Sequence, residues 1–409
     1  MKFGIRSNQV KVAALTCSLF LTACSDSSSN PDAKVNGVYQ AAIAGVSSDF
    51  GSSEISIAND SILDDINTAE VDESLDSYDI ANGYAAQDLS DITVASYGKS
   101  FYRLGRTSQN NITKYNYATP ELIEWQFSVN DEGKTGSNPY DVIFVSETKA
   151  YVIRYGSDSI LIIDPSVSFN DEENFKIGTI DLSAYTPVGH NVPSMNAAVL
   201  HEGKLYVTLQ VLSSDSVPGE AKLAIIDTAS DTETTDSGIA LNVKNPIDLD
   251  VLGNSLYVSG IGRYENNWVT PVIPAEYTGG IEKIDLTNLS SEILVDDGDA
   301  ANHPYDQING LALVSESIGY FRGYAGWGNE SLFQFNPSTG DVEPEPVTGF
   351  DGIDIRSLAV SQTFELWVGI VGLTDPEVKV INPADNSIIT TITTDKIPSA
   401  IVFSGNLSE

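Results

Sequence analysis

The chain is 409 residues long and 41% hydrophobic, with 57 acidic against 21 basic residues and a net charge of −36. A surface this acidic repels the phosphates of nucleic acid and anionic headgroups, which excludes nucleic acid as a partner. With Cys17 and Cys24 its only cysteines, the fold has no disulfide framework, and a chain of this length buries enough apolar surface to do without one.

In chain order, residues 1–23 read as a leader rather than as structure. Lys2, Arg6 and Lys11 precede an apolar run from Val12 to Ala23 that is too short to span a bilayer. The run ends in Leu21-Thr22-Ala23-Cys24, which resembles the lipobox of bacterial lipoproteins. That resemblance implies cleavage before Cys24, acylation of Cys24 and attachment to a membrane through the N-terminal lipid. Ser25 follows, and in Gram-negative lipoproteins a residue other than aspartate there implies transfer to the outer membrane, facing the periplasm or the exterior. Without the leader the chain has 18 basic and 57 acidic residues, a net −39. Residues 24–35, rich in Ser, Asn and Asp, read as a flexible tether, and 36–409 as the folded domain.

Within that domain an aromatic residue opens a short apolar run seven times, at Tyr39, Tyr102, Tyr151, Tyr206, Tyr257, Tyr320 and Trp367. Roughly 45 to 65 residues separate the copies, the length of a four-stranded antiparallel sheet with variable loops. Blade 3 is the clearest unit. Asn138-Pro139-Tyr140-Asp141 turns the chain inward, and strands are predicted at 142–145, 151–155, 160–164 and 175–180. In six of the seven units the third strand ends in an apolar residue followed by an acid or amide: Tyr115-Asn116, Ile163-Asp164, Ile226-Asp227, Ile284-Asp285, Phe335-Asn336 and Ile381-Asn382. Short polar side chains there cap the next turn.

The expected fold is therefore all-β, a seven-bladed β-propeller. The first folded segment lacks an innermost strand and the last, 397–404, lacks a successor, so the C-terminal strand is predicted to complete the N-terminal blade and close the ring. Leu205-Tyr206-Val207-Thr208, Leu256-Tyr257-Val258-Ser259, Ile225-Ile226-Asp227-Thr228 and Ile381-Asn382-Pro383 resemble the repeats of bacterial YVTN-type seven-bladed propeller proteins, from about residue 84 to the C-terminus. Long, irregular loops between second and third strands in blades 4 to 6 depart from that pattern.

Loops entering the innermost strands and loops joining second to third strands emerge on one face, called the upper face below. Two sets of candidates fall there. Arg263, Tyr264, Trp268, Tyr277, Arg322, Tyr324, Trp327 and Arg356 put rings beside guanidinium groups, a platform suited to a planar or sugar-like ligand, a glycan or a protein. The other reading of these rings is that they pack the long loops down. Asp91, Asp141, Asp248, Asp306 and Asp354, at or near the starts of innermost strands, are oxygen donors around an axis and suit calcium. His190 and His303 are the pair available to a transition metal. The other reading of the inner-strand acids is that they partner the backbone of a neighbouring blade. The chain contains no Gly-rich phosphate loop, nucleophile elbow or cysteine nucleophile, which favours a non-catalytic ligand-binding or assembly module. A metal-handling protein and a hydrolase or lyase using acids such as Asp306 or Asp354 are the alternatives.

Overall fold

The computed structural model describes residues 39–59, 80–212, 217–235, 237–267 and 269–405. The leader, the tether with Cys24, and Trp268 lie outside the described residues. Seven antiparallel sheets follow one another along the chain. Blade 3 has strands Pro139–Ser146, Lys149–Arg154, Ser159–Ile163 and Lys176–Asp181, within a few residues of the sequence expectation. Blade 4 splits its outermost strand into Thr232–Glu233 and Ile239–Ala240, both paired with the third strand. In blade 6 the outermost position is held by irregular chain, through the Phe335–Val342 and Glu330–Ile353 bridges and a hydrogen bond from Val347 N to Leu332 O.

Ring closure follows the predicted route. The C-terminal strand Ile397–Phe403 pairs antiparallel with Gln40–Val46 and becomes the innermost strand of blade 1. Ser404 N donates to Gln40 O at 2.8 Å, so chain segments from the two ends share one sheet and neither leaves an open edge at the seam.

Alternation along the strands sends apolar residues into both gaps beside a blade, and seven buried clusters result, one for each pair of neighbouring blades. All seven repeat aromatics are buried. Three of the tyrosines also spend their hydroxyl on the next blade: Tyr151 donates to Asp231, Tyr257 to Pro337 O at 2.9 Å, and Tyr320 to Asn386 Oδ1 at 2.6 Å. The acceptors lie in the turn after the next blade's third strand, so the repeated tyrosine fills a gap with its ring and ties two sheets with its tip.

The third-strand signature is structural in every copy. Asn116, Asp164, Asp227, Asp285, Asn336 and Asn382 each accept, through Oδ1, a backbone N–H two residues ahead, at 2.7 to 3.1 Å. These are Asx turns on the lower face.

Candidate functional site on the upper face

The cluster begins at Arg322, in the second strand of blade 6 (Ile318–Gly326). Its Nε donates to Asn309 O at 3.0 Å, and its Nη1 to Glu330 Oε2 at 3.1 Å and to Ile355 O at 2.9 Å, so it ties the strands of blade 6 to the start of blade 7. Gly310 makes room for it. A Cβ there would lie 3.1 Å from Arg322 Nε, and the residue sits at φ +81°, where side chains are rarely tolerated. Burial raises the pKa of Glu330, a rise opposed by Arg322 and Arg356.

Arg356, on the innermost strand of blade 7, forms a two-pronged pair with Asp354: Nε lies 2.6 Å from Oδ1 and Nη2 donates to Oδ2 at 2.7 Å. The flat guanidinium then stacks on Trp327, its Cζ 4.2 Å from the ring centroid. Trp327 remains 69% exposed at the tip of the blade 6 hairpin. Phe50, from the second-to-third-strand loop of blade 1, meets Trp327 at 6.1 Å between centroids and is itself 49% exposed. It is held at φ +56°, an unusual conformation for a bulky residue.

Blade 5 supplies the other wall. Its long loop is a small hairpin, bridged at Arg263–Glu276 and Asn266–Ile273, with Gln307 Nε2 of blade 6 donating to Ile261 O and Arg263 O at its base. Arg263 Nη2 lies 2.6 Å from Glu276 Oε1. Tyr264 packs edge-on against Tyr324 at 5.0 Å, and burial pushes its hydroxyl pKa up. Tyr277 stacks on His303 at 4.3 Å, and His303 Nε2 is 3.9 Å from Asp306.

Seven of the eight residues of the expected aromatic platform are thus described, all on the upper face. Their guanidinium groups are not free donors: Arg263, Arg322 and Arg356 are each committed to a carboxylate. The groups left to meet a ligand are rings, chiefly Trp327, Tyr264 and Phe50. Phe50 was missed in the sequence; its signal was a lone aromatic in the polar turn Ser47-Ser48-Asp49-Phe50-Gly51.

The acids expected to hold a cation are dispersed. Asp91 accepts from Thr107 N at 3.0 Å and faces Arg106, Asp354 is taken by Arg356, and Asp306 faces His303. Asp248 accepts from Leu311 N of blade 6 at 3.1 Å, as Asn196 donates to Pro246 O of blade 5 and Ser357 to Pro398 O of blade 1. Three inner-strand polar residues therefore serve neighbouring backbone. Among the described residues no group of three or more His, Cys, Asp or Glu gathers in a way that could hold a metal ion. Asp141 and Asp248 do share the axis. Burial lifts both to about 6, and Asp248 adds to the rise at Asp141. Asp250, also missed in the sequence, is lifted to about 7, first by burial and then by Asp248.

Ring, blade count and closure define a seven-bladed β-propeller. No family model and no curated protein matches the chain. Solved structures do. A putative 6-phosphogluconolactonase from Bacteroides uniformis superimposes with a TM-score of 0.56 at 13% identity, covering 90% of this chain and 99% of that one. Its counterpart from Bacteroides fragilis gives 0.54 at 11% identity, over 91% and 99%. Apo AztD from Citrobacter koseri gives 0.51 at 13%, over 90% and 98%. At such identities the likeness is one of fold, and propellers of one fold serve unrelated functions.

Proposed function

We propose that this protein is a lipid-anchored β-propeller of the outer membrane, carried by Cys24, that binds a ligand or partner without catalysis through the upper face of blades 5 to 7 and the adjoining loop of blade 1. The observation that supports it is the placing of exposed apolar side chains. Phe50, Val217, Tyr264, Val272, Trp327 and Leu373 all lie in second-to-third-strand loops of the upper face, whereas the lower-face loops contribute Phe169 alone among the described residues. A one-sided apolar surface rimmed by charge marks an interaction face. Trp327 is its centre, because Arg356 fixes the ring while leaving most of it in water.

The acidic channel and the paired arginines shape what binds. With every guanidinium neutralised, the face offers stacking and apolar contact and a negative surround, which suits a neutral glycan or a protein segment without net negative charge.

The test uses the full mature chain in detergent against a glycan array and a pull-down from envelope extract, with wild type beside Trp327→Ala. The expected result is a saturable hit weakened at least about tenfold by the substitution, with an unchanged melting midpoint. A hit untouched by Trp327→Ala and by Phe50→Ser overturns the assignment of this face. Loss of membrane fractionation in Cys24→Ala checks the anchor separately.

A further inference from the structure

A hollow opens on the upper face away from Trp327. It occupies about 180 Å³ where the segment entering blade 3 (130–137), the turn after that blade's second strand (156–158) and the segment entering blade 4 (191–192) meet. The chain is built to leave it open. A Cβ at Gly156 would fall 2.0 Å from Gly136 O, so only glycine lets the turn approach the entering segment. The floor is rigid. Arg154 is fully buried, with its Nη1 donating to Asp131 Oδ1 at 2.7 Å and Val129 O at 3.0 Å and its Nη2 to Ser159 O at 3.0 Å and Ser159 Oγ at 2.7 Å.

The wall is polar and part of its hydrogen-bonding capacity is unspent. The Asn130 side chain uses only its Oδ1, which accepts from Ser137 N at 3.1 Å and Ser137 Oγ at 2.9 Å, leaving both amide hydrogens. Among the described residues, the side chains of Thr135, Asp158 and Asn191 make no hydrogen bond. The walls therefore offer amide donors, a hydroxyl that does either job, and a carboxylate acceptor. Among the described residues Val192 is the one aliphatic side chain there, and no aromatic ring lines the space.

We infer that this hollow is a binding site for a compact polyhydroxyl ligand, a free monosaccharide or linear polyol. Asp131 is paired with Arg154 at 2.7 Å and with Lys134 at 3.8 Å, so with Asp158 the hollow sets two carboxylates against two cations and selects neither sign of charge. A hydroxyl donates and accepts at once, which lets one ligand satisfy amides, hydroxyl and carboxylate together. An apolar or aromatic ligand would leave those groups unpaired, a loss that works strongly against it. The volume is below that of drug-sized pockets and suits a single sugar unit. With so few atoms, affinity falls in the millimolar range.

The test is saturation-transfer NMR on the full mature chain in detergent, with D-glucose, D-galactose, D-mannose and ribitol as probes and L-serine as a zwitterionic control. At least one polyol shows a saturable signal, and Asp158→Asn combined with Asn191→Ala weakens it at least about tenfold while the melting midpoint holds. Trp327→Ala leaves the signal unchanged, which separates this site from the aromatic face. Saturable transfer to serine alone, the absence of transfer to every polyol, or a polyol signal indifferent to the double substitution each overturns the inference. If the double variant unfolds, Thr135→Val serves instead, with the same expected weakening and the same overturning outcome.

Discussion

Tyr320 and Asn386 stand 66 residues apart in the chain and 2.6 Å apart in space, the phenol of blade 6 donating to the amide oxygen of blade 7. The same amide turns its Nδ2 to Gln334 Oε1 at 2.7 Å, so one turn residue grips two strands of the neighbouring blade. Asn386 itself is at φ +59°, a left-handed conformation that asparagine tolerates better than most residues.

Removing the hydroxyl alone isolates the hydrogen bond from the packing. Tyr320→Phe keeps the ring and is expected to lower stability by about 1 kcal/mol. Asn386→Ala loses both bonds and puts a Cβ-only residue at a left-handed position, so its cost exceeds that of Tyr320→Phe. Urea unfolding of the two variants checks the order; equal costs would mean that the phenol is the whole of the contact.

Truncation probes ring closure. A chain ending at Pro398 loses most of the innermost strand of blade 1 and uncovers the paired backbone of Gln40–Val46. The expected outcome is loss of the single cooperative melt and rapid proteolysis throughout the domain. A truncated protein melting like the intact one would contradict the shared blade.

The pH dependence follows from two opposed sets of carboxyl groups. Burial holds Asp141 and Asp248 at about 6 and Asp250 and Asp297 at about 7. These lie above the ordinary aspartate value, so between about pH 4 and 7 the folded protein binds more protons than the unfolded chain, and stability falls as pH rises through that window. Asp227, Asp285 and Asp385 are shifted the other way by hydrogen bonds from Ser230, Thr287 and Ser387, and their contribution is lost as pH drops below the usual aspartate range. The melting midpoint is therefore expected to peak near about pH 4, where the two effects meet. Asp250→Asn should raise it by roughly 1–3 °C at pH 8 and flatten the slope above the peak.

Arg103 is a second lever on stability. It is fully buried between blades 1 and 2, its Nη2 donates to Gln109 Oε1 at 2.7 Å, and no carboxylate pairs with it among the described residues. Burial pushes its pKa down to about 10. Arg103→Met keeps the volume and removes the desolvated charge, so the midpoint of thermal unfolding is expected to stay the same or rise. A fall of several degrees would show that the Gln109 contact outweighs the desolvation.

Divalent cations distinguish screening from a site. Because the candidate acids are paired, spread out or bonded to backbone, calcium and magnesium at equal ionic strength are expected to raise the melting midpoint alike, by screening a net −39 surface. A calcium-specific rise of the mature protein would restore the axial acids as a site, since ligand at about 100 times its dissociation constant adds roughly 2.7 kcal/mol.

Local pattern carried the architecture. Aromatic spacing, apolar runs of strand length and the Asx signature are each set within a few residues, because strand alternation and turn capping are short-range effects, and all three predicted the blades and the six lower-face caps. The seam could be read as well, since an unpaired strand at each end has one economical partner. Partnerships across blades were decided only in three dimensions. Arg322 with Glu330 and Ile355, Arg356 with Asp354 and Trp327, Phe50 with Trp327, and the hollow walled by Asn130, Asp158 and Asn191 each join elements whose register depends on how whole sheets pack. An arginine in a loop reads the same whether it meets a ligand or a carboxylate. The neighbour that neutralises it is chosen by the packing of the sheets, and that choice left the rings, rather than the charges, as the exposed groups of the upper face.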